Sequence, residues 1–382
     1  MSRRSIFILL SGVLFLSALG IVMLMSTCVF SAHADQSDVY REAKKQVSWL
    51  GIGIGVCWMT SLIDYRFWKK SIWLILIFTG TLLVLCFVPD IGLMIKGERR
   101  WIELGLFHLQ PSELAKLSIV FFLAFWYSRY PDCGRLLVRG FLAPLTLTGL
   151  VMSLILFEVD IGSTAVLGVT VLIVLFVAGV HWKYLFSLIL AGAAVFVAMM
   201  SYAPNRVVRL AAFIDPEKHR LGAGFQQWIS LMAYGSGGLT GRGIGEGRLK
   251  MLYMPFAPTD FIFPMIGEEL GLLGTLSVVF AFMCIVCSGM MIAFQAPDRF
   301  GLILGTGICS LLAVEAFFNI GVTTSILPNT GLPLPFVSYG GSSLVVSFAS
   351  VGILINIFRQ GRGGHIEPSD WAYHENRDIL GV

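Results

Sequence analysis

Long apolar runs separated by short polar breaks organise this chain. Ten stand out, at about 6–31, 47–63, 71–89, 111–127, 140–157, 162–180, 184–202, 260–293, 301–324 and 341–358. About 17–25 apolar residues are enough to cross a bilayer as a helix. The pattern predicts an all-α polytopic membrane protein with about ten transmembrane helices. The eighth run is too long for one crossing, so its ends extend past the hydrocarbon or the helix tilts. The one long polar interruption, 203–258, forms a large loop between spans seven and eight. Residues 325–340 carry Pro328, Pro333 and Pro335 and predict a helix-breaking segment that dips in against protein. No internal repeat is evident.

Composition agrees with this reading. Hydrophobic residues are 56% of the 382 and charged residues 13%, against about 25% charged in soluble domains. No room is left for a large soluble domain. The chain reads as one membrane domain, 1–358 with the loop included, and a short cytoplasmic tail, 359–382. Arg3-Arg4 precedes an apolar stretch longer than a signal-peptide core, so this stretch reads as a retained first span. Most of the seven cysteines lie inside apolar runs and read as packing residues; no Cys/His group has zinc spacing.

Orientation follows from lysine and arginine in the short loops. With the N-terminus inside, the inner side holds 13 of them and the outer side 14. Seven of the outer ones sit in 203–258: Arg206, Arg209, Lys218, Arg220, Arg242, Arg248 and Lys250. Setting that loop aside favours both termini in the cytoplasm and the loop outside.

Candidate chemistry clusters on the outer side. Asp260 opens the eighth run, and a carboxylate at a membrane edge marks function by default. Pro264, Gly267 and Gly271 follow it at i+4, i+7 and i+11, a shallow trough for a lipid chain or a close helix neighbour. The loop before it contains Gly235-Ser-Gly-Gly238 and Gly241-Arg-Gly-Ile-Gly245, whose backbone N–H groups suit phosphate or a plain surface loop equally. Glu113 and Lys116, at i,i+3, can form an ion pair or face a substrate beside Arg99 and Arg100. On a helix, Glu158 and Asp160 would point some 160° apart, with one facing the interior. Glu315 and Asn319, at i,i+4, suit interhelical hydrogen bonding. There is no Asp-x-Asp metal motif, no dinucleotide fingerprint and no Ser or Cys nucleophile with a His partner.

Several motifs in order resemble the SEDS family of membrane glycosyltransferases, which includes FtsW, RodA and SpoVE. They are Gly97-Glu-Arg-Arg-Trp-Ile102, Gln110-Pro-Ser-Glu-Leu-Ala-Lys-Leu117, Asp160-Ile-Gly-Ser-Thr164, Gln227-Trp-Ile-Ser-Leu-Met-Ala-Tyr-Gly-Ser-Gly-Gly-Leu239, Thr259-Asp-Phe-Ile-Phe263 with Gly267-Glu-Glu-Leu-Gly271, and Leu334-Pro-Phe-Val-Ser-Tyr-Gly-Gly-Ser-Ser343. The resemblance covers nearly the whole chain, and Gly20-Ile-Val-Met-Leu-Met-Ser-Thr leans to the division-type branch. It implies polymerisation of lipid II into glycan strands at the outer face of the bacterial cytoplasmic membrane, with Asp260 as the catalytic carboxylate. It implies substrate-binding roles for Arg100, Glu113, Lys116, Asp160, Arg206, Arg209, Lys250, Ser338 and Tyr339. A class B penicillin-binding protein and other division proteins are the implied partners, with no nucleic acid. The small residues Gly289, Gly301, Gly305 and Gly307 offer that transpeptidase a docking face. A divalent cation, magnesium or manganese, could share the neutralisation of the diphosphate, although no ligand set is evident. Two departures stand out. The family often has Gln-Pro-Asp where this chain has Glu158-Val-Asp160, and Pro-Glu-Ala-His-Thr-Asp where it has Pro255-Phe-Ala-Pro-Thr-Asp260. The rival readings are a lipid II flippase and an elongation-type polymerase.

Overall fold

The computed structural model describes residues 3–31, 41–89, 91–95, 98–103, 108–201, 212–249 and 259–363. Each of the ten predicted apolar runs is helical. The helices are α1 (Arg3–Ser31), α2 (Arg41–Leu62), α3 (Tyr65–Lys70), α4 (Ile72–Leu85), α5 (Pro111–Arg129), α6 (Ala143–Phe157), α7 (Ile161–Val177) and α8 (Trp182–Ser201), then α9 (Phe225–Gly237), α10 (Ile262–Phe294), α11 (Arg299–Thr323) and α12 (Gly341–Gly363). Five apolar helical stretches have the length and composition to cross a membrane: Arg3–Thr27, Leu137–Phe157, Ile262–Phe294, Arg299–Thr323 and Gly341–Gly361. The protein is a helical integral membrane protein.

Local chemistry sets several boundaries. Pro111 occupies the first turn of α5, where its missing N–H costs nothing. Asp160 caps α7 by accepting from the Ser163 N–H (3.0 Å), and Asp298 caps α11 by accepting from Gly301 N–H (2.7 Å). Such caps stabilise a helix by about 1 kcal/mol each. Helix α11 is the most deeply buried of the five long apolar helices and packs against α10, α5 and α7. Around it, α1 packs on α10 and α2 on α12.

Four features depart from expectation. The polar stretch after α4 is not helical. It forms a small antiparallel sheet, β1 (Gly92–Ile95), β2 (Glu98–Glu103) and β3 (His108–Leu109), with Gly92 opposite Ile102 and Glu103 opposite His108. The fold is therefore helical with one small sheet. The eighth run is also not one unbroken helix: α10 breaks at Gly271, which takes φ +67° and ψ −162°. The remainder, 272–294, is about 35 Å long at 1.5 Å per residue, enough for one crossing. The third departure is in the large loop, which carries helix α9. The fourth concerns Gly289, Gly301, Gly305 and Gly307. Each faces a neighbour within this chain, such as Ala293 against Gly305 and Val120 against Gly307. They let its own helices approach and leave no face for a partner.

The segment between α11 and α12 does enter the protein. Leu334, Phe336 and Val337 are buried in the main core. Gly20 of α1 makes this approach possible, since a side chain there would collide with the Val337 backbone. Leu332 joins Val166, Leu311 and Val314 in a second apolar cluster between α7 and α11.

Candidate active site

Asp260 lies in the turn just before α10, one residue ahead of the Phe261 N-cap, and is partly exposed. Its backbone is pinned from α11. Asn319 Nδ2 donates to the Asp260 carbonyl (2.9 Å) and to the Leu332 carbonyl (2.7 Å). Gly331 (φ +69°) stands beside the carboxylate; a methyl group there would lie 3.4 Å from Oδ2. One turn along α11 from Asn319 is Glu315. It accepts from Lys116 Nζ, which also pairs with Glu113 at 2.9 Å. The ammonium is 1% exposed and sits between two carboxylates on α5 and α11. The expected Glu113–Lys116 pair and the hydrogen-bonding face of Glu315 and Asn319 thus form one connected network. It ties α5, α11 and the turn that carries Asp260.

Glu158 and Asp160 do not follow helical geometry. They occupy a tight turn between α6 and α7, with Val159 at φ +67°, and both are buried. Asp160 accepts from Ser163 Oγ (2.8 Å) and Gln110 Nε2 (3.3 Å) as well as capping α7. Arg100 clamps the turn: its guanidinium donates to the Val159 carbonyl (2.6 Å) and the Glu158 carbonyl (3.4 Å) and lies 3.9 Å from Asp160. Among the described residues, no donor lies within hydrogen-bond reach of the Glu158 carboxylate. Burial, reinforced by Asp160 against the pull of Cys86 and Arg100, pushes its carboxyl up to about 8.

The glycine-rich stretch binds carboxylate where phosphate was one expectation. Its N–H groups point at α10: Gly245 N–H donates to Glu269 (3.0 Å), and Arg248 and Leu249 N–H donate to Glu268 (2.7 and 3.2 Å). Ser26 of α1 also donates to Glu269 (2.7 Å). Arg242 and Gly243 N–H bond the Glu268 and Glu269 carbonyls (3.0 Å each). Gly241 (φ +81°) has to be glycine here, because a side chain would strike the Glu269 carbonyl. Of the two uses foreseen for the trough below Asp260, the close neighbour holds. Tyr234 of α9 faces Gly267, and Leu239 and Gly241 face Gly271.

Ser338 is buried; its Oγ accepts from Leu334 N–H (2.9 Å) and its carbonyl from Gln46 (3.1 Å). It shapes the segment before α12, and Tyr339 packs half-buried against the core. Arg206, Arg209 and Lys250 lie outside the described residues. Sequence reasoning missed Gln227 as a structural tie. Its Nε2 donates to the Leu327 carbonyl (3.0 Å), while Asn329 donates to Gln226 (2.8 Å). Its only signal was a polar residue heading an otherwise apolar stretch. Among the described residues, no group of three His, Cys, Asp or Glu could hold a metal ion.

The site combines a connected ionic core with a partly exposed carboxylate at one end of a helical bundle, and comparison places that architecture. Residues 6–363 match the FtsW/RodA/SpoVE family, described as cell cycle proteins, and the chain belongs to this family. It is 36% identical over 361 residues to the probable peptidoglycan glycosyltransferase FtsW of Geobacter metallireducens, covering 94% of this chain and 96% of that one. It is 36% identical to stage V sporulation protein E of Bacillus subtilis, covering 91% and 95%. Among solved structures, a chain from a peptidoglycan synthase complex superposes with a TM-score of 0.75 at 27% identity, covering 92% and 98%. Thermus thermophilus RodA does so with a TM-score of 0.66 at 26% identity, covering 92% and 97%.

Proposed function

We propose that this protein is a peptidoglycan glycosyltransferase that polymerises lipid II at the outer face of the bacterial cytoplasmic membrane, for septal wall synthesis. Relatives matching over 90% or more of the chain are named for that activity and for the division-type branch. The observation that carries the mechanism is the contrast among acids packed at this end of the bundle. Glu113, Glu158, Asp160, Glu268, Glu269 and Glu315 are at most 5% exposed, whereas Asp260 is partly open.

Asp260 takes the proton from the 4-hydroxyl of the acceptor GlcNAc. The freed oxygen attacks C1 of the glycan held on a polyprenyl diphosphate. The C1–O bond breaks with inversion, and the diphosphate leaves with the electron pair. Arg206, Arg209 and Lys250 neutralise the departing charge. Arg100 positions the α6–α7 turn. Asn319 fixes the base, and the Glu113–Lys116–Glu315 network holds Asn319's helix. All ten runs cross the membrane, with both termini inside and the large loop outside. A class B transpeptidase docks from the membrane; the matched synthase complex, described as coordinating polymerization and crosslinking, supports such pairing.

Purified protein should convert labelled lipid II into a ladder of glycan strands in detergent, with and without the transpeptidase. No ladder in either arm, with lipid II shown to be competent for another polymerase, would refute the assignment.

A further inference from the structure

Asp298 and Asn319 lie near opposite ends of α11, about 30 Å apart at about 1.5 Å per residue. The Asp298 end therefore belongs to the membrane face opposite Asp260. Four cations, Arg66, Lys69, Lys70 and Arg129, and one carboxylate, Asp298, line the polar side of a pocket there of about 660 Å³. Trp73 and Phe125 line its apolar side.

The charges do not cancel. Arg66 Nε pairs with Asp298 at 3.1 Å, which uses the one carboxylate. Lys69 Nζ lies 5.7 Å from the Phe300 ring centre, and the Arg129 guanidinium 6.0 Å from that of Tyr130. Among the described residues, neither of these cations nor Lys70 is paired with a carboxylate. From the pocket an apolar track runs along one face of α4. Trp73, Ile77 and Val84, at i, i+4 and i+11, are 53%, 69% and 51% exposed. Gly80, at i+7, leaves open space between them.

We infer that this pocket binds the phosphate-bearing headgroup of an anionic lipid from the leaflet opposite Asp260, with an acyl chain along α4. A water-soluble phosphate would have no use for the track. Tryptophan prefers the headgroup level, and basic pockets between membrane helices attract anionic heads. The inference rests on the bundle's seat in the membrane and not on glycan synthesis, so its test leaves that activity aside.

Full-length protein is purified in detergent and titrated with phosphatidylglycerol, phosphatidylcholine or inorganic phosphate, with lipid retention read by native mass spectrometry and stability by melting. Phosphatidylglycerol should be retained in preference to phosphatidylcholine and should raise the melting temperature. Lys69→Gln/Lys70→Gln/Arg129→Gln should weaken it on the order of a hundredfold, since each cation near an anionic surface contributes about a factor of five. Arg3→Gln/Arg4→Gln, on the same face, should not. If the triple variant does not fold, Lys70→Gln alone should show a fall of about fivefold. Equal retention of the two lipids, or full retention by the Lys69/Lys70/Arg129 triple variant or by Lys70→Gln, overturns the site. A melting shift reproduced by inorganic phosphate alone overturns the lipid as its ligand.

Discussion

Asp260 and Glu269 belong to one apolar run and meet opposite fates. Glu269 is buried, with backbone N–H groups of the glycine-rich stretch and Ser26 gathered around it. Asp260 is held by its backbone, and its side chain stays partly open. A buried carboxylate whose oxygens accept from main-chain and hydroxyl donors serves the fold. A partly open carboxylate on a main chain tied to α11 is both reachable by a substrate and held in place. Rigid support with access for the substrate is what a general base requires.

The largest break in this comparison should come from Asp260→Asn. Polymerisation should fall about 10²–10⁴-fold, with the melting temperature unchanged. A matching loss of stability would mean that Asp260 is structural, like Glu269. Lys116→Met should do the reverse. It leaves Glu113 and Glu315 as a buried pair of carboxylates without their cation, a loss of about 3–5 kcal/mol. Size-exclusion traces should show little folded protein; a well-folded, active variant would dismiss the network as a scaffold.

A milder effect is expected from Glu268→Gln. The amide retains one oxygen acceptor but loses the charge that attracts the Arg248 and Leu249 N–H groups. Weakening these bonds should cost about 1–3 kcal/mol, read as a lower melting temperature with turnover per folded molecule preserved. Lost turnover at normal stability would move Glu268 to the side of Asp260.

Glu158 gives a test that depends on pH. Its folded carboxyl is raised to about 8 from 4.5. The folded protein therefore binds a proton that the unfolded chain releases, and stability should decline as pH rises from about 4.5 to about 8. Glu158→Gln should flatten the melting profile across that window. An unchanged profile would show that Glu158 is ionised in the folded state.

Spacing along the chain was enough for the helices, for the Glu113–Lys116 pair one turn apart and for the shared face of Glu315 and Asn319. These are properties of a single helix, and hydrophobicity in a bilayer leaves that helix few alternatives. Asp260 also stood out locally, as a charge at the mouth of an apolar run. Other features needed the third dimension. Lys116 meets Glu315 across 199 residues, and Ser26 meets Glu269 across 243. The glycine-rich loop could have cradled a phosphate or a carboxylate, because backbone N–H groups favour any anion; only the docking of α9 on α10 decided between them. The break at Gly271 was equally silent, since glycine permits a positive φ without demanding it. A turn, not a helix, joins Glu158 to Asp160, and Arg100 from a distant strand holds the Glu158 and Val159 carbonyls. Sequence determined which apolar runs are helices and which charges are costly to bury. Tertiary structure decided which of those charges are buried and which, at Asp260, stays open to a substrate.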